Sequence, residues 1–353
     1  MEDNYSYLED DDEQVPQIRQ VNRTDQPGEH RRSIGEHQGS NMKYLIIGAG
    51  GTGGILGYKM AKGGLDVTMI ARGKQLRAIW GNGILVENQW DHSVDSAPVK
   101  AYDTSNYYDD PDVIFLCVKS YSVKSLLPFL RQIVKNDTIV IPTLNVYGTG
   151  EYINSKLSKG KVMDGCMYAS ANIKSSGWIL IHRDILRVIF GPREPKDYDP
   201  RLQDIERDLI SCGIDAKLSD IIQRDCMQKF SYISPIAAAG AYYNATVADF
   251  QRTGEPRAML KTMIREIMAL SYEMGYPFEK DYVDENLKVL ESLPPDATTR
   301  MQRDVAAGRK SEIDGLVFNV IRMAKKYNVP MPAYEMVAEE LEKKYIQTDK
   351  KIN

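Results

Sequence analysis

Two lysines, an asparagine and a glutamate carry most of the chemistry this sequence offers. Lys229 lies in the segment 220–241, DIIQRDCMQKFSYISPIAAAGA. At helical spacing Ile222, Cys226, Lys229, Ile233 and Ile236 share one face, so a lysine falls inside an apolar stripe. Burial lowers an ammonium pKa toward neutrality, which suits a general acid working near pH 7. The competing reading is a lysine whose stem packs while its head reaches water. Pro235 is expected to kink this helix, and the alanines after it permit close helix packing. Glu312 follows Ser311 in AAGRKSEIDG. With Ser311 as N-cap, Glu312 would occupy a first helical turn, where the dipole favours its anion. Placed near Lys229, it would hold the ammonium charged; a routine capping carboxylate is the alternative. Lys119 and Asn145 end two apolar runs, DVIFLCV and TIVIPTL. A neutral amide there can orient a carbonyl, and a lysine can bond ribose or substrate oxygens. Ordinary solvated strand ends are the other reading.

These groups need a scaffold, and the chain pattern supplies one. Apolar strand candidates at 44–47, 67–70, 113–118 and 138–143 alternate with helical stretches such as 53–62 and 122–134. Apolar strands separated by helices predict a parallel sheet covered on both faces. In such a sheet, ligands sit beyond the carboxyl ends of the strands, where Lys119 and Asn145 fall. The run WILIHRDILRVIFG reads as two short strands that extend or cap that sheet. After about 220 the strand signal stops, and 220–244, 255–275, 296–308 and 311–327 show helical periodicity. The expected organisation is a disordered polar leader over 1–41, too poor in apolar residues to offset chain entropy. A Rossmann-like α/β domain over 42–215 follows, then an all-helical domain over 216–353. The folded part is expected to begin at Met42.

The first strand breaks into glycine: KYLIIGAGGTGG. Gly48, Gly50 and Gly53, with Ala49, Gly51 and Thr52 between them, fit GxGxxG after a strand and before a helix. Gly48 permits a tight turn, Gly50 lets the backbone approach a pyrophosphate, and Gly53 allows close helix–strand packing. The helix N-terminus then offers free N–H groups to the phosphates. The second strand ends in Ala71 and Arg72, followed by Lys74 and Arg77, with no acid to hold a ribose 2′-hydroxyl. Arg72 is placed for a 2′-phosphate, which favours NADP(H) and counts against FAD; otherwise it is an ordinary surface arginine.

Totals exclude other classes. The 353 residues suffice for two domains, and 42% hydrophobic with 27% charged residues is ordinary for a soluble globular protein. A formal net charge of -4 suggests neither a nucleic-acid groove nor an anionic membrane face. No apolar run approaches ~18 residues, and the first residues carry no secretory core. Cys117, Cys166, Cys212 and Cys226 show no CxxC pairing and lie in apolar surroundings, as reduced thiols of a cytoplasmic protein would. Only four histidines occur, two of them in the leader, so a histidine metal site is not expected.

Together these pieces resemble the ketopantoate reductase (2-dehydropantoate 2-reductase) family over roughly residues 42–345. The resemblance rests on IIGAGGTGG, Arg72, VKSYSV around Lys119, LNVYGTGEYI around Asn145, QKFSYISP around Lys229 and TRMQRDVAAGRKSEIDG through Glu312 and Asp314. It implies a Rossmann domain, a helical domain and a substrate cleft between them. It also implies reduction of ketopantoate to pantoate with NADPH, on the route to pantothenate and coenzyme A. By position, Lys229 matches the family's general acid and Glu312 its substrate-site glutamate. Lys119 and Asn145 match residues lining the nicotinamide and substrate, and Arg72 the 2′-phosphate arginine. Four positions depart from the pattern. Ile233 and Ala237 replace asparagines one and two turns beyond the lysine. Arg300 replaces a serine that grips the substrate carboxylate, where it could bind that group bidentately. Val146 replaces a glycine. These departures leave the identity of the oxo acid open. The alternatives are a reductase of another 2-oxo acid or of an opine-type imine, a non-catalytic NADP(H) sensor, and a flavoenzyme. A homodimer through the helical domain is a further expectation.

Overall fold

The computed structural model describes residues 40–352, with side chains to 343. The leader expected over 1–41 lies, up to residue 39, outside the described residues. Ser40 is anchored: its N–H and hydroxyl both donate to Asp208, which also accepts from the Tyr44 hydroxyl.

In chain order, β1 (Lys43–Ile47) leads through the glycine loop into α1 (Gly51–Lys62), β2 (Asp66–Ile70) and α2 (Gly73–Asn82). An excursion of β3 (Ile84–Asn88) and β4 (Val94–Ala97) precedes β5 (Lys100–Tyr102) and β6 (Val113–Leu116). Then come α3 (Val123–Ile133), β7 (Ile139–Pro142), α4 (Thr149–Asn154) and β8 (Lys161–Val162). Two long strands, β9 (Asp164–Ser175) and β10 (Trp178–Gly191), are followed by α5 (Arg201–Ser211) and β11 (Asp215–Leu218).

Strands β5-β2-β1-β6-β7-β8 form one sheet, parallel throughout. Its central strands are buried on both faces, which is why they read as unbroken apolar runs. Strand β1 has β2 on one side and β6 on the other, so the winding reverses beside the glycine loop. A crevice opens at such a switch point, at the carboxyl ends of the strands.

The run WILIHRDILRVIFG corrects one expectation. It is a single 14-residue strand, β10, and it belongs to a second sheet rather than to the edge of the first. It pairs antiparallel with β9, parallel with β3 through Trp178–Ile181 and parallel with β11 through Arg187–Phe190. A register shift between Ile181 and Leu186 absorbs the polar residues that made it look like two strands. Helix α1 packs against β2 on one side and against β3, β9 and β10 on the other, so it is sandwiched between the sheets.

Beyond β11 the described residues are helical: α6 (Ile222–Tyr243), α7 (Val247–Gln251), α8 (Glu255–Glu273), α9 (Tyr282–Glu291) and α10 (Arg300–Ala306). A π-helical turn over Asp314–Phe318 runs into α11 (Asn319–Lys326), and α12 (Pro332–Ile352) closes the chain. Helix α6 is continuous through Pro235. The sequence pattern missed α7, α9 and α12. The first N–H groups of α12 are held by the buried Glu266 of α8, which accepts from Ala333 and Tyr334 at 2.8 and 3.0 Å. Helix α6 also packs on β9, joining the helical region to the second sheet.

Candidate active site

The crevice holds a cavity of about 660 Å³, lined by residues 47–52, Arg72, Gln75, Lys119, Asn145, Arg300 and Glu312 among others. One end is made by the glycine loop. Gly48 has φ +108°, a left-handed conformation, and a Cβ there would meet the Cys117 carbonyl oxygen at 2.7 Å. A Cβ on Gly53 would lie 1.9 Å from the Gly48 carbonyl oxygen, so only hydrogen fits where α1 crosses the loop. Around Gly50 nothing lies within 4 Å of that position, leaving the backbone open to a ligand. Gly50 is also the N-cap of α1, with no acid in the first turn, so unpaired N–H groups face the cavity. Gly51 and Thr52 line it as the first two residues of the helix. Arg72, exposed at the end of β2, makes no ion pair among the described residues. These features fit a dinucleotide phosphate with an added phosphate group.

The other end is assembled from distant segments. Lys229 is 6% exposed on α6. Its ammonium donates to Asn145 Oδ1 at 2.8 Å and to the Met167 carbonyl at 2.5 Å, and lies 5.5 Å from the Tyr168 ring centre. Two of its three hydrogens are thereby used, leaving one for another acceptor. Desolvation lowers the Lys229 pKa from the ordinary lysine value; Cys166, Cys226 and Glu312 act in the opposite direction and Lys119 reinforces it. Asn145 lines the 660 Å³ cavity, whereas Lys229 borders a smaller cavity behind it.

Glu312 corrects a second expectation. It is buried, but its partner is Lys119, not Lys229: Lys119 Nζ donates to Oε2 and the Ser120 N–H to Oε1, both at 3.0 Å. Nor does it occupy a first helical turn. Ser311 Oγ accepts from the Ile313 N–H at 3.4 Å, and Glu312 precedes the helix. The cause is geometric: the chain enters a π turn, and the carboxylate is drawn to the short 3-10 turn Ser120–Ser122 leading into α3. Gly315, in the π turn, lies against the loop that carries Asn145. A Cβ on it would meet Val146 Cγ2 at 2.5 Å. The segment carrying Glu312 and the loop carrying Asn145 thus approach each other closely at Gly315 and Val146.

Arg300 lines the cavity as the first residue of α10, exposed and without an ion pair among the described residues. Ile233 and Ala237 pack with the helical core instead of joining the cavity lining. Sequence reasoning missed Gln75, whose amide donates to the Ala49 carbonyl at 2.7 Å while its oxygen accepts from the Gly177 N–H at 2.9 Å. It braces the glycine loop against the β9–β10 turn. Tyr121 was also missed; it stands at the rim, with Lys310 Nζ 5.0 Å from its ring centre. Gln75 lies in no motif, and Tyr121 lies in VKSYSV but nothing in that run marks its own side chain. No helix among the described residues is long and apolar enough to cross a membrane.

Residues 44–195 match the family model "Ketopantoate reductase PanE/ApbA", and residues 221–345 match "Ketopantoate reductase PanE/ApbA C terminal". The "2-dehydropantoate 2-reductase" of Mesorhizobium japonicum is 26% identical over 322 residues, covering 84% of this chain and 95% of that one. An "Uncharacterized oxidoreductase YkpB" of Bacillus subtilis is 24% identical over 297 residues, covering 84% and 96%. Among solved structures, a PanE/ApbA family ketopantoate reductase from Ralstonia eutropha superposes with a TM-score of 0.77 at 20% identity, covering 87% of this chain and all of that one.

Proposed function

This chain belongs to the ketopantoate reductase family and is an oxidoreductase, and on that premise we propose that it reduces 2-dehydropantoate to pantoate with NADPH. The observation that carries the reading is the buried Lys229 ammonium, held by Asn145, which itself lines a cavity that also contains the glycine loop. NADPH, when bound, supplies the hydride for the oxo carbon. Residues 48–53 would hold its pyrophosphate, and Arg72 its 2′-phosphate.

The chain's own residues do the rest. Lys229 gives a proton to the developing alkoxide, and its lowered pKa makes that transfer easier near neutrality. Asn145 fixes the ammonium and faces the cavity, so it orients both the acid and the carbonyl it serves. The ammonium and the amide stabilise negative charge on the reacting oxygen. Lys119, clamped by Glu312, contributes a second cation beside the nicotinamide site, and Glu312 offers an acceptor to a substrate hydroxyl. Arg300 is free to grip the substrate carboxylate, bidentately and from outside.

The test is NADPH oxidation with 2-dehydropantoate, followed by absorbance, with NADH and a panel of other 2-oxo acids in parallel. Rapid turnover restricted to NADPH and 2-dehydropantoate supports the proposal. Turnover of a different oxo acid, or equal use of NADH, refutes the corresponding part.

A further inference from the structure

Two thiols that the proposed reaction does not use line the same small cavity as Lys229. Cys166 on β9 and Cys226 on α6 pack together in one small buried cluster with Ile189 and Ile222. Both line the small cavity behind Asn145, with Lys229 on the same wall. Cys226 precedes Lys229 by one helical turn, and Cys166 adjoins Met167, which accepts the Lys229 hydrogen bond. After desolvation, these two thiols are the groups that act most strongly on the ammonium. The cavity measures about 20 Å³, room for roughly one water-sized molecule. The other two cysteines are placed differently. Burial pushes the Cys117 thiol up to about 12, and its neighbour is the Thr143 hydroxyl at 3.3 Å. Cys212 is likewise raised by burial, with Ser211 beside it.

We propose that Cys166 and Cys226 form an oxidation site for hydrogen peroxide, and that the disulfide made there switches off Lys229. The switch, though not the site, rests on the function proposed above. The Cys166 thiolate is the attacking group, because the neighbouring Cys226 thiol and the Lys229 ammonium hold its pKa below the ordinary thiol value. Its sulfur bonds one peroxide oxygen, the O–O bond breaks, and the departing hydroxide takes a proton to become water. Cys166 is then a sulfenic acid. The Cys226 sulfur attacks it, the S–S bond forms, and the S–O bond breaks; the hydroxide leaves as a second water with the Cys226 proton. Two thiols have lost two electrons and two protons, and one peroxide has become two waters. Oxidised glutathione is far too large for a cavity of about 20 Å³. A disulfide of about 2.05 Å is shorter than any non-bonded sulfur contact, so α6 and β9 are drawn together one turn from Lys229. Its ammonium then leaves its seat on Asn145 and Met167, and a displacement of ~1 Å at a reacting group costs about 10²-fold in rate.

The experiment treats the full reduced chain with hydrogen peroxide, then measures intact mass, free thiols under denaturing conditions, a peptide map and NADPH-dependent turnover. The expected result is a mass loss of two hydrogens and a fall from four titratable thiols to two. A linked 166–226 peptide and a turnover loss of about 10²-fold, reversed by dithiothreitol, complete it. Oxidised glutathione should do none of this. Cys166→Ala should keep its own untreated rate through the peroxide treatment. Cys226→Ser, as a second control, should give no crosslink and no dithiothreitol-reversible loss. Four remaining thiols, a crosslink between other cysteines, or equal inactivation of Cys166→Ala overturns the site. A 166–226 disulfide with unchanged turnover overturns the switch. Mass, map and thiol count need no turnover, so they decide the site even if every oxo acid proves inert.

Discussion

The two ends of the cleft are built in opposite ways. At the nucleotide end, one continuous strand–loop–helix makes most of the contacts, and the groups on offer are backbone N–H and the absence of side chains at Gly48 and Gly53. At the other end the charged and amide groups are side chains, propped by the Met167 carbonyl and the Ser120 N–H, and the paired side chains lie far apart in sequence: 84 residues for Lys229 and Asn145, 193 for Lys119 and Glu312. The first end is fixed by local backbone sterics, so it tolerates little substitution and varies little in geometry. The second depends on how the helical region seats against the sheets. Its distances, and the pKa values that follow from them, answer to packing far away.

If this contrast is right, damage at one end should leave the other intact. The largest effect is expected from Lys229→Ala. Turnover should fall by about 10²–10⁴-fold, the range for losing a general acid, with NADPH affinity by fluorescence titration unchanged. A variant with near wild-type turnover would end the assigned role of the lysine. The reciprocal change is Arg72→Ala. Loss of a charge-assisted contact of about 1.5–3 kcal/mol corresponds to roughly 10–100-fold weaker NADPH binding. NADH affinity and the pH profile should not move. Equal weakening of both nucleotides would mean that Arg72 does not read the 2′-phosphate.

A pH profile sharpens the comparison further. Reduction needs Lys229 charged, so turnover should fall as pH rises through its pKa, which burial sets below the ordinary lysine value of 10.5. The reverse oxidation needs it neutral and should rise over the same interval. An alkaline limb at or above the ordinary value would contradict the burial argument.

The smallest effect concerns Asp164, at the start of β9. Burial raises its pKa to about 6 against the pull of Arg193, 3.5 Å away. The folded carboxyl therefore ionises later than the unfolded one, near 3.9, and stability is lost as pH rises between those values. Asp164→Asn should raise stability by about 1–2 kcal/mol at pH 7.5, discounting for its partly accessible side chain. It should change little at pH 4. Melting temperatures of both proteins at the two pH values check the sign.

What was legible in the sequence follows the same division. The glycine loop, Arg72, the strand ends at Lys119 and Asn145, and the lysine on α6 were each readable from a few consecutive residues, because local geometry determines them. The partner of Glu312 was not. Ser311 suggested a cap, and nothing nearby announces that Lys119 takes the carboxylate instead. Strand β10 was split in two by its polar residues, since alternation cannot show that a bulge carries the strand onward. Helix α12 opens on Pro332, a start signal that the strand-and-helix pattern passed over, and its cap comes from Glu266 in another helix. Gln75 and Tyr121 acquire their roles only from what folds against them.

The contact between Gly315 and Val146 has a consequence for anyone redesigning this enzyme. The two positions share one volume: with Val146 in place, any side chain at 315 overlaps it. A library that shortens residue 146 alone will open a void next to Asn145. One that varies 315 alone will force the π turn, and Glu312 with it, away from the sheet. Recombining a small residue at 146 with alanine at 315 is the step that keeps this shared volume filled and both polar pairs at their present spacing.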